Sequence, residues 1–511
     1  MKKGFAKAAA FLTAMCILVS GSTVTALAAE YDDFDYITNH VSTDVSRSLE
    51  ITRPGRNVGT NASNYYITGT SDPGQDLYLN GEKFNRRGIS GSFGVYMSLA
   101  NGVNVFTFTQ DDGSEKTITI TRDNSYGIGS GSAASPENNG NQSGGVSSGP
   151  NPVAIQVKEV SACVFSKGNE NSGFVATAKR GAMDYVVDSN AAMYKLSVGG
   201  WIKKDTVRPI NLNCQNNVNQ VTFSSDSGGE RFSIHGTSQP IAKTYRSSEA
   251  LIITLPNTSG IGDIPTNESK LFSSAEVTEE NGATTIKFNR YPDAQLWGYV
   301  VEYNDNVTTV YCKYPPTLSG GSTPLAGITI TLDAGHGGSD PGALGIMNGY
   351  GTAEKDITAD TAIAVQKRLE SLGATVYYTG SGTIQSGKTE FVTRMSPAYE
   401  NKTDFFISLH CNSIGTNQNG SKPAGIEIYY YDSIAKPFSQ KLMSYVTGYT
   451  GRPSRGARQS YYRVTLNSCA PSVLVEMGFI CNPLEFDDMS SKMGIFHMAN
   501  AIGDGIVSYL S

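Results

Sequence analysis

Up to about residue 324 the chain is written in short runs that alternate apolar and polar residues. In residues 30–123 such runs fall at 64–68, 77–79, 95–99, 103–108 and 117–121. Asp72-Pro73-Gly74, Asn80-Gly81 and Asn101-Gly102 punctuate them. A period of two broken by turn residues predicts a small antiparallel sandwich. Residues 152–209 are β-rich again, and 210–324 carry further strand patterns at 221–223, 251–255, 285–288 and 299–303. From 325 the pattern changes. Strand-like runs at 328–332, 375–378, 405–409, 426–430 and 473–475 now alternate with helical spacing. A helix over 355–372 places Ile357, Thr361, Val365, Leu369 and Leu372 on one face, and Gly373 stops it. A last helix is predicted over 496–510. The fold class expected is multidomain: all-β modules followed, over 325–511, by an α/β domain with a mostly parallel sheet flanked by helices.

Two stretches lack any core-forming pattern. Residues 124–151 are rich in Gly, Ser and Asn and read as a flexible linker. Residues 318–322 form a shorter one. Residues 1–28 have the three parts of a secretory signal: Lys2, Lys3 and Lys7, an apolar core over 8–19, and Ala26-Leu27-Ala28 as cleavage site. The expected location is therefore outside the cell, associated with the wall. No later run of 18 apolar residues predicts stable membrane insertion.

Composition sharpens this only modestly. Charged residues make up 17%, with 55 glycines and 27 tyrosines, which suits extracellular β modules. The net charge of −6 becomes −9 without the signal segment (37 basic against 46 acidic residues). No basic stripe is present, so nucleic acid is excluded as a partner. Of seven cysteines, Cys163, Cys214, Cys312, Cys411, Cys469 and Cys481 lie beyond the signal, widely spaced and without a CxxC pair. They are read as isolated buried thiols, with disulfides left open.

Candidate chemistry gathers in the last domain. His336 follows ITITLDAG, His410 follows DFFISL and Glu476 follows PSVLV. Each is read as ending a hydrophobic strand, so a parallel sheet would bring all three to one rim. Glu354 starts the helix packed on that sheet. Singly, each has a structural reading: a histidine in a glycine turn, a core histidine, a helix-start charge. Glu476 is harder to dismiss, because a carboxylate at the end of a buried strand needs a partner. Two histidines, one carboxylate and an open position make the catalytic zinc pattern. His336, Glu354 and His410 are the metal candidates, and Glu476 the proton carrier. Asp333 is either an orienter of an imidazole or a turn former.

The segments TLDAGHGGSDPGALG, AEKDITADTAIAVQKRLESLGATVYYT, RMSPAYENKTDFFISLHCNS and PSVLVEMGFICNPLEFDDM resemble the zinc-dependent N-acetylmuramoyl-L-alanine amidases of bacterial walls, over about 185 residues. The resemblance implies Zn²⁺ on His336, Glu354 and His410, and Glu476 as catalytic acid/base. It gives Arg394 a structural role and places Asn412 in the third motif. Two departures stand out: Cys411 beside a ligand, expected to point to the opposite face, and a Gly/Ser-rich loop over 381–388. Ahead of this domain, GTSDPG, LYLNGE and SLANGVNVFTFT resemble immunoglobulin-like modules of bacterial surface enzymes. AMYKLSVGGWIKKDTVRPI resembles the end of a Src-homology-3-like module, with Trp201 either core or ligand platform. Residues 210–324 resemble an accessory β-domain.

The implied activity is hydrolysis of the amide between N-acetylmuramic acid and L-alanine in peptidoglycan, with the β modules expected to bind the wall. The alternatives are a wall-binding surface protein whose last domain is inactive, and a zinc peptidase acting within stem peptides.

Overall fold

The computed structural model describes residues 47–123, 153–347, 352–379, 391–415 and 417–511. The expected signal segment over 1–28, the expected linker over 124–151 and the 381–388 stretch lie outside the described residues.

Four β-rich or α/β units follow one another. Residues 50–122 form a three-stranded and a five-stranded sheet that share one core, including Ile67, Leu77, Phe93, Phe108 and Ile120. Residues 154–210 form a seven-stranded antiparallel sheet. Its Met193–Leu196 and Gly200–Lys203 strands pair as the expected hairpin. Trp201 is partly buried against Cys163, Phe165 and Met193. Two four-stranded sheets then face each other across Phe232, Leu251, Ile253, Ile286, Phe288 and Val310. The six cysteines are free and buried. Among the described residues no helix is long and apolar enough to cross a membrane.

The C-terminal α/β unit is numbered from its own first strand. Its elements are β1 Thr329–Ala334, α1 Glu354–Ser371, β2 Thr375–Tyr378, α2 Phe391–Glu400, β3 Phe405–Asn412, β4 Ile426–Tyr430, α3 Ala435–Thr450, β5 Ser454–Gln459, β6 Ser472–Phe479, α4 Pro483–Met489 and α5 Lys492–Leu510. The sheet order is β2-β1-β3-β6-β4-β5. Pairing is parallel across β2, β1, β3 and β6, then antiparallel between β6 and β4, with β5 parallel to β4. The sheet is thus mixed and mostly parallel. From β1 the chain passes through α1 to β2 on one side, then through α2 to β3 on the other. The C-terminal ends of β1 and β3 therefore flank a topological switch point, where open α/β sheets bind ligands.

Period-two alternation divides the sheet into two faces. Ile330, Leu332 and Ala334 of β1, Phe405, Ile407, Leu409 and Cys411 of β3, Ile426 and Ile428 of β4, and Val473, Val475 and Met477 of β6 join one apolar core. Helices α1, α3 and α5 cover that face with Ile357, Val365, Leu369, Phe438, Leu442 and Ile502. On the other face β3 presents Phe406, packed with Met395, Ala398 and Tyr399 of α2. Alternation then sends Ser408, His410 and Asn412 to this second face, with Asp333, Glu427, Tyr429 and Glu476. The last helix begins at Lys492, four residues earlier than the sequence predicts. The Ser491 side chain caps it by accepting from the Gly494 N–H at 3.0 Å.

The other units hold opposite rims of this sheet. The first module touches segments that follow β1 and β6: Thr52 Oγ1 donates to the Ile346 carbonyl at 2.5 Å, Tyr66 OH to the Cys481 carbonyl at 2.9 Å, and the Ser90 N–H to Asp487 Oδ2 at 2.8 Å. The two-sheet unit holds segments that precede β3 and β6. Lys313 Nζ donates to the Thr403 carbonyl at 2.6 Å and to Asp404 at 2.8 Å, and the Tyr299 N–H donates to the Ser468 carbonyl at 2.7 Å.

Candidate metal centre and the working face of the sheet

Just past the end of β1, His336 takes a left-handed backbone, φ +64°, which costs energy for a residue with a Cβ. Two contacts hold it there. Arg394 of α2 donates from Nη2 to the His336 carbonyl at 2.6 Å and from Nη1 to the Ala334 carbonyl at 2.9 Å. Asp333 in turn accepts from Arg394 Nη1 at 2.7 Å. Burial alone would raise the Asp333 carboxyl, but Arg394 and the Ser408 and Thr379 hydroxyls outweigh it and keep it ionised. Among the described residues Asp333 bonds no imidazole, and it lies inside β1, so neither of its two readings, orienter or turn former, describes it: through Arg394 it braces the backbone. The carboxylate at Nδ1 of the His336 imidazole is Asp340, whose Oδ2 lies 3.2 Å away.

Glu354 is the first residue of α1 and is buried. Oε2 lies 3.1 Å from His336 Nε2 and accepts from the Ala343 N–H at 2.9 Å. Oε1 lies 3.0 Å from His410 Nδ1 and accepts from the Cys411 N–H at 2.9 Å. Burial pushes this carboxyl up, yet the imidazoles outweigh it and hold it well below the usual range. Burial would lower His336, and Glu354 and Asp340 instead raise it to about 9. His410 is raised in the same way, chiefly by Glu354.

His336, Glu354 and His410 each offer one donor atom, and the three atoms lie within 4.8 Å of one another. The imidazole centroids are 5.1 Å apart at 78°. Space for these side chains exists only because glycines line it. A Cβ on Gly342, itself at φ +64°, would stand 2.6 Å from Glu354 Oε2 and from His336 Cδ2. A Cβ on Gly335 would stand 2.5 Å from His410 Cε1. Two imidazole nitrogens and a carboxylate oxygen in one cradle can hold a divalent metal ion and suit zinc.

His410 and Glu476 do not end their strands. They lie inside β3 and β6 as direct cross-strand partners. Glu476 Oε2 is enclosed, and among the described residues it has no hydrogen-bond partner. Burial is the main reason its carboxyl is raised to about 7, partly offset by His410. Cys411, one residue on from His410, is buried in the core on the opposite face, as alternation requires.

The sequence reading did not single out Glu427. It is the cross-strand partner of Glu476 on β4 and is buried. Oε2 accepts from Asn412 Nδ2 at 2.9 Å and from Tyr429 OH at 2.6 Å; Oε1 accepts from Arg455 Nε at 2.9 Å. Asn412 therefore braces Glu427. The available signal was a lone acid inside the apolar run IEIYY.

With this geometry in place, comparison with known proteins is informative. Residues 330–508 match the family model for N-acetylmuramoyl-L-alanine amidase, so the C-terminal unit is an amidase-family domain. The probable cell wall amidase LytH of Staphylococcus aureus is 32% identical over 188 residues, which is 37% of this chain and 60% of that protein. The chain thus spans less than two thirds of this relative. The catalytic domain of CwlV from Bacillus (Paenibacillus) polymyxa var. colistinus aligns with a TM-score of 0.33 at 30% identity, covering 36% of this chain and 98% of that one. An N-acetylmuramoyl-L-alanine amidase from Clostridium difficile 630 aligns at 0.33 and 26%, covering 36% and 97%.

Proposed function

We propose that the chain is a secreted peptidoglycan hydrolase that cleaves the amide between N-acetylmuramic acid and L-alanine. Zn²⁺ would be held by His336, Glu354 and His410. When bound, zinc supplies Lewis-acid polarisation of the scissile carbonyl and lowers the pKa of a water. Glu354 keeps its charge at neutral pH because both imidazoles and two backbone N–H groups point at it. Glu476 does the proton work. Its unpartnered Oε2 accepts a proton from the water attacking the carbonyl carbon. The same oxygen then donates that proton to the alanine nitrogen as the C–N bond breaks. The products are a muramic carboxylate and a free alanine amine. The observation that carries this reading is the enclosed, unbonded carboxylate oxygen directly across the strand from His410.

An insoluble substrate explains the preceding units. We take 1–28 as a signal peptide and residues 30–123, 152–209 and 210–324 as modules that hold the enzyme on the wall, which raises its local concentration there.

The test is digestion of purified wall by metal-free and zinc-reloaded protein, with the released fragments weighed by mass spectrometry. New alanine amines and muramic carboxyls, appearing only after reloading, are expected. Fragments cut within the stem peptide would instead identify a peptidase. Binding to wall with no release, by fully zinc-loaded protein, would identify an inactive surface protein.

A further inference from the structure

The working face does not stop at Glu476. Across the antiparallel junction stands Glu427, and beyond it the edge strand β5 carries Arg455 and Arg458. Both guanidinium groups converge on one carboxylate oxygen: Glu427 Oε1 lies 2.9 Å from Arg455 Nε and 3.2 Å from Arg458 Nη1. Glu427 is buried and needs one cation to balance it. Glu427 lies between the two guanidinium groups and balances one of them, so the pair leaves one positive charge over at this edge. Neither arginine is buried: their side chains are 36% and 50% exposed.

Their donors are only partly used. Arg458 gives Nε and Nη2 to the Arg455 carbonyl at 3.1 and 2.8 Å, which fixes its plane. Arg455 lies with its guanidinium carbon 5.0 Å from the Phe479 ring centre. Among the described residues its two terminal amino groups have no hydrogen-bond partner, so a fork of N–H donors remains free. Tyr429, the cross-strand partner of Arg458, stacks with Tyr462 beside this pair, with centroids 4.9 Å apart. A fixed planar fork of this kind matches a carboxylate.

Distance selects which carboxylate. The path from β6 through β4 to β5 is two strand spacings, or roughly 10 Å. An extended peptide advances about 3.3 Å per residue. We infer that Arg455 and Arg458 form an anion subsite that takes a carboxylate of the stem peptide two to three residues beyond the scissile amide, its backbone lying over Tyr429 and Tyr462. This rests on the amidase reading for the identity of the peptide, but the arginine pair is independent of the metal cluster.

The test compares two synthetic muramoyl-peptides on the zinc-loaded full chain. One bears free carboxylates on its second and third residues; the other bears carboxamides there. The wild type is expected to prefer the acid form by roughly tenfold in kcat/KM, mainly through KM. R458Q, which leaves the Arg455 fork but removes one charge of the pair, should lower the ratio clearly, and R458K, which keeps that charge, should fall between it and wild type. Arg458 is half exposed, so neither change threatens the fold. Fluorescence anisotropy of the labelled stem peptide and its amide supplies a readout that does not need turnover. A wild type that binds and cleaves both forms equally, or an R458Q ratio equal to that of wild type, overturns the subsite. Preferential binding of the acid form without hydrolysis of either substrate supports the subsite and overturns the amidase reading instead.

Discussion

Two carboxylates neighbour His410, one at its ring and one across the strand, and they differ in the donors that reach them. Glu354 has two imidazoles and two backbone N–H groups for its two oxygens. Glu476 has an enclosed oxygen with no donor among the described residues. Burial acts on both in the same direction, yet only Glu476 rises, to about 7, while Glu354 is held far down. Hydrogen bonding to the charged form, not burial, separates them. A carboxylate that stays ionised can serve as a permanent ligand. One balanced near neutrality can pass a proton both ways. The contrast is what the proposed division of labour between the two acids rests on.

The contrast breaks most decisively at Glu476. E476Q keeps the shape and the neighbours but removes the exchangeable proton. Wall hydrolysis should fall by ~10²- to 10⁴-fold. Metal content per chain, measured after dialysis, should stay at the wild-type value. Hydrolysis within tenfold of wild type would remove Glu476 from the mechanism. E354Q should do the reverse, losing bound metal together with activity, because a neutral amide cannot hold two imidazoles and a cation as a carboxylate does.

A subtler break is steric. G342A places a methyl group 2.6 Å from Glu354 Oε2 and demands φ +64° of a residue with a Cβ. It should destabilise the fold by about 1–3 kcal/mol and lower metal affinity, while leaving Glu476 untouched. Thermal melting and metal titration on the same sample would separate the two effects. Unchanged metal affinity would mean that the cradle relaxes and that glycine there is not required by the ligands.

Much of this site was legible before any coordinates. The glycine-rich break after a β-branched run located His336, and the helix period placed Glu354 at the start of α1. Alternation alone put the Cys411 thiol on the far face. Other features hid for physical reasons. His410 and Glu476 pass for strand ends because each is the first ionisable residue after an unbroken apolar run; both strands continue past them, to Asn412 and Phe479. The edge strand SRGARQ has no apolar alternation, so nothing in its pattern announces a strand. Asp340 was missed in favour of Asp333, since sequence proximity to His336 does not reveal which acid faces the ring. The strand Gly229–His235 was missed because its alternation includes buried Glu230, which accepts from Ser269 Oγ at 2.6 Å.

The two acids and His336 also predict how the metal-free protein responds to pH. His336, raised from 6.5 to about 9, contributes stability that is complete below 6.5 and is lost as pH rises through about 9. Glu354, lowered from 4.5, contributes stability that is present above 4.5 and lost on acidification. Glu476, raised from 4.5 to about 7, opposes folding increasingly across that interval. The melting temperature of metal-free protein should therefore be highest near pH 4.5, decline through 7 as Glu476 ionises, and decline further towards 9. In E476Q the decline below 7 should shrink and the decline above 7 should persist. A decline below 7 that is the same in both proteins would show that the enclosed oxygen is not the group responsible.

The smallest expected effect concerns the acids next to His336. Asp340 touches Nδ1 at 3.2 Å but is 38% exposed, so solvent weakens its hold on the ring. A carboxylate on the second nitrogen of a ligating histidine fixes the ring and raises its basicity, typically worth ~10- to 100-fold in affinity, and the exposure here points to the lower end. D340N should thus weaken metal binding by about tenfold with little change in melting temperature. D333N is the matched control. Asp333 is buried and bonds Arg394 and Ser408 rather than an imidazole. Its loss should destabilise the fold by about 1–3 kcal/mol and shift metal affinity less than D340N at a temperature where both variants are folded. The opposite ranking would restore Asp333 as the residue that sets the imidazole, acting through the backbone that it and Arg394 hold in the left-handed turn.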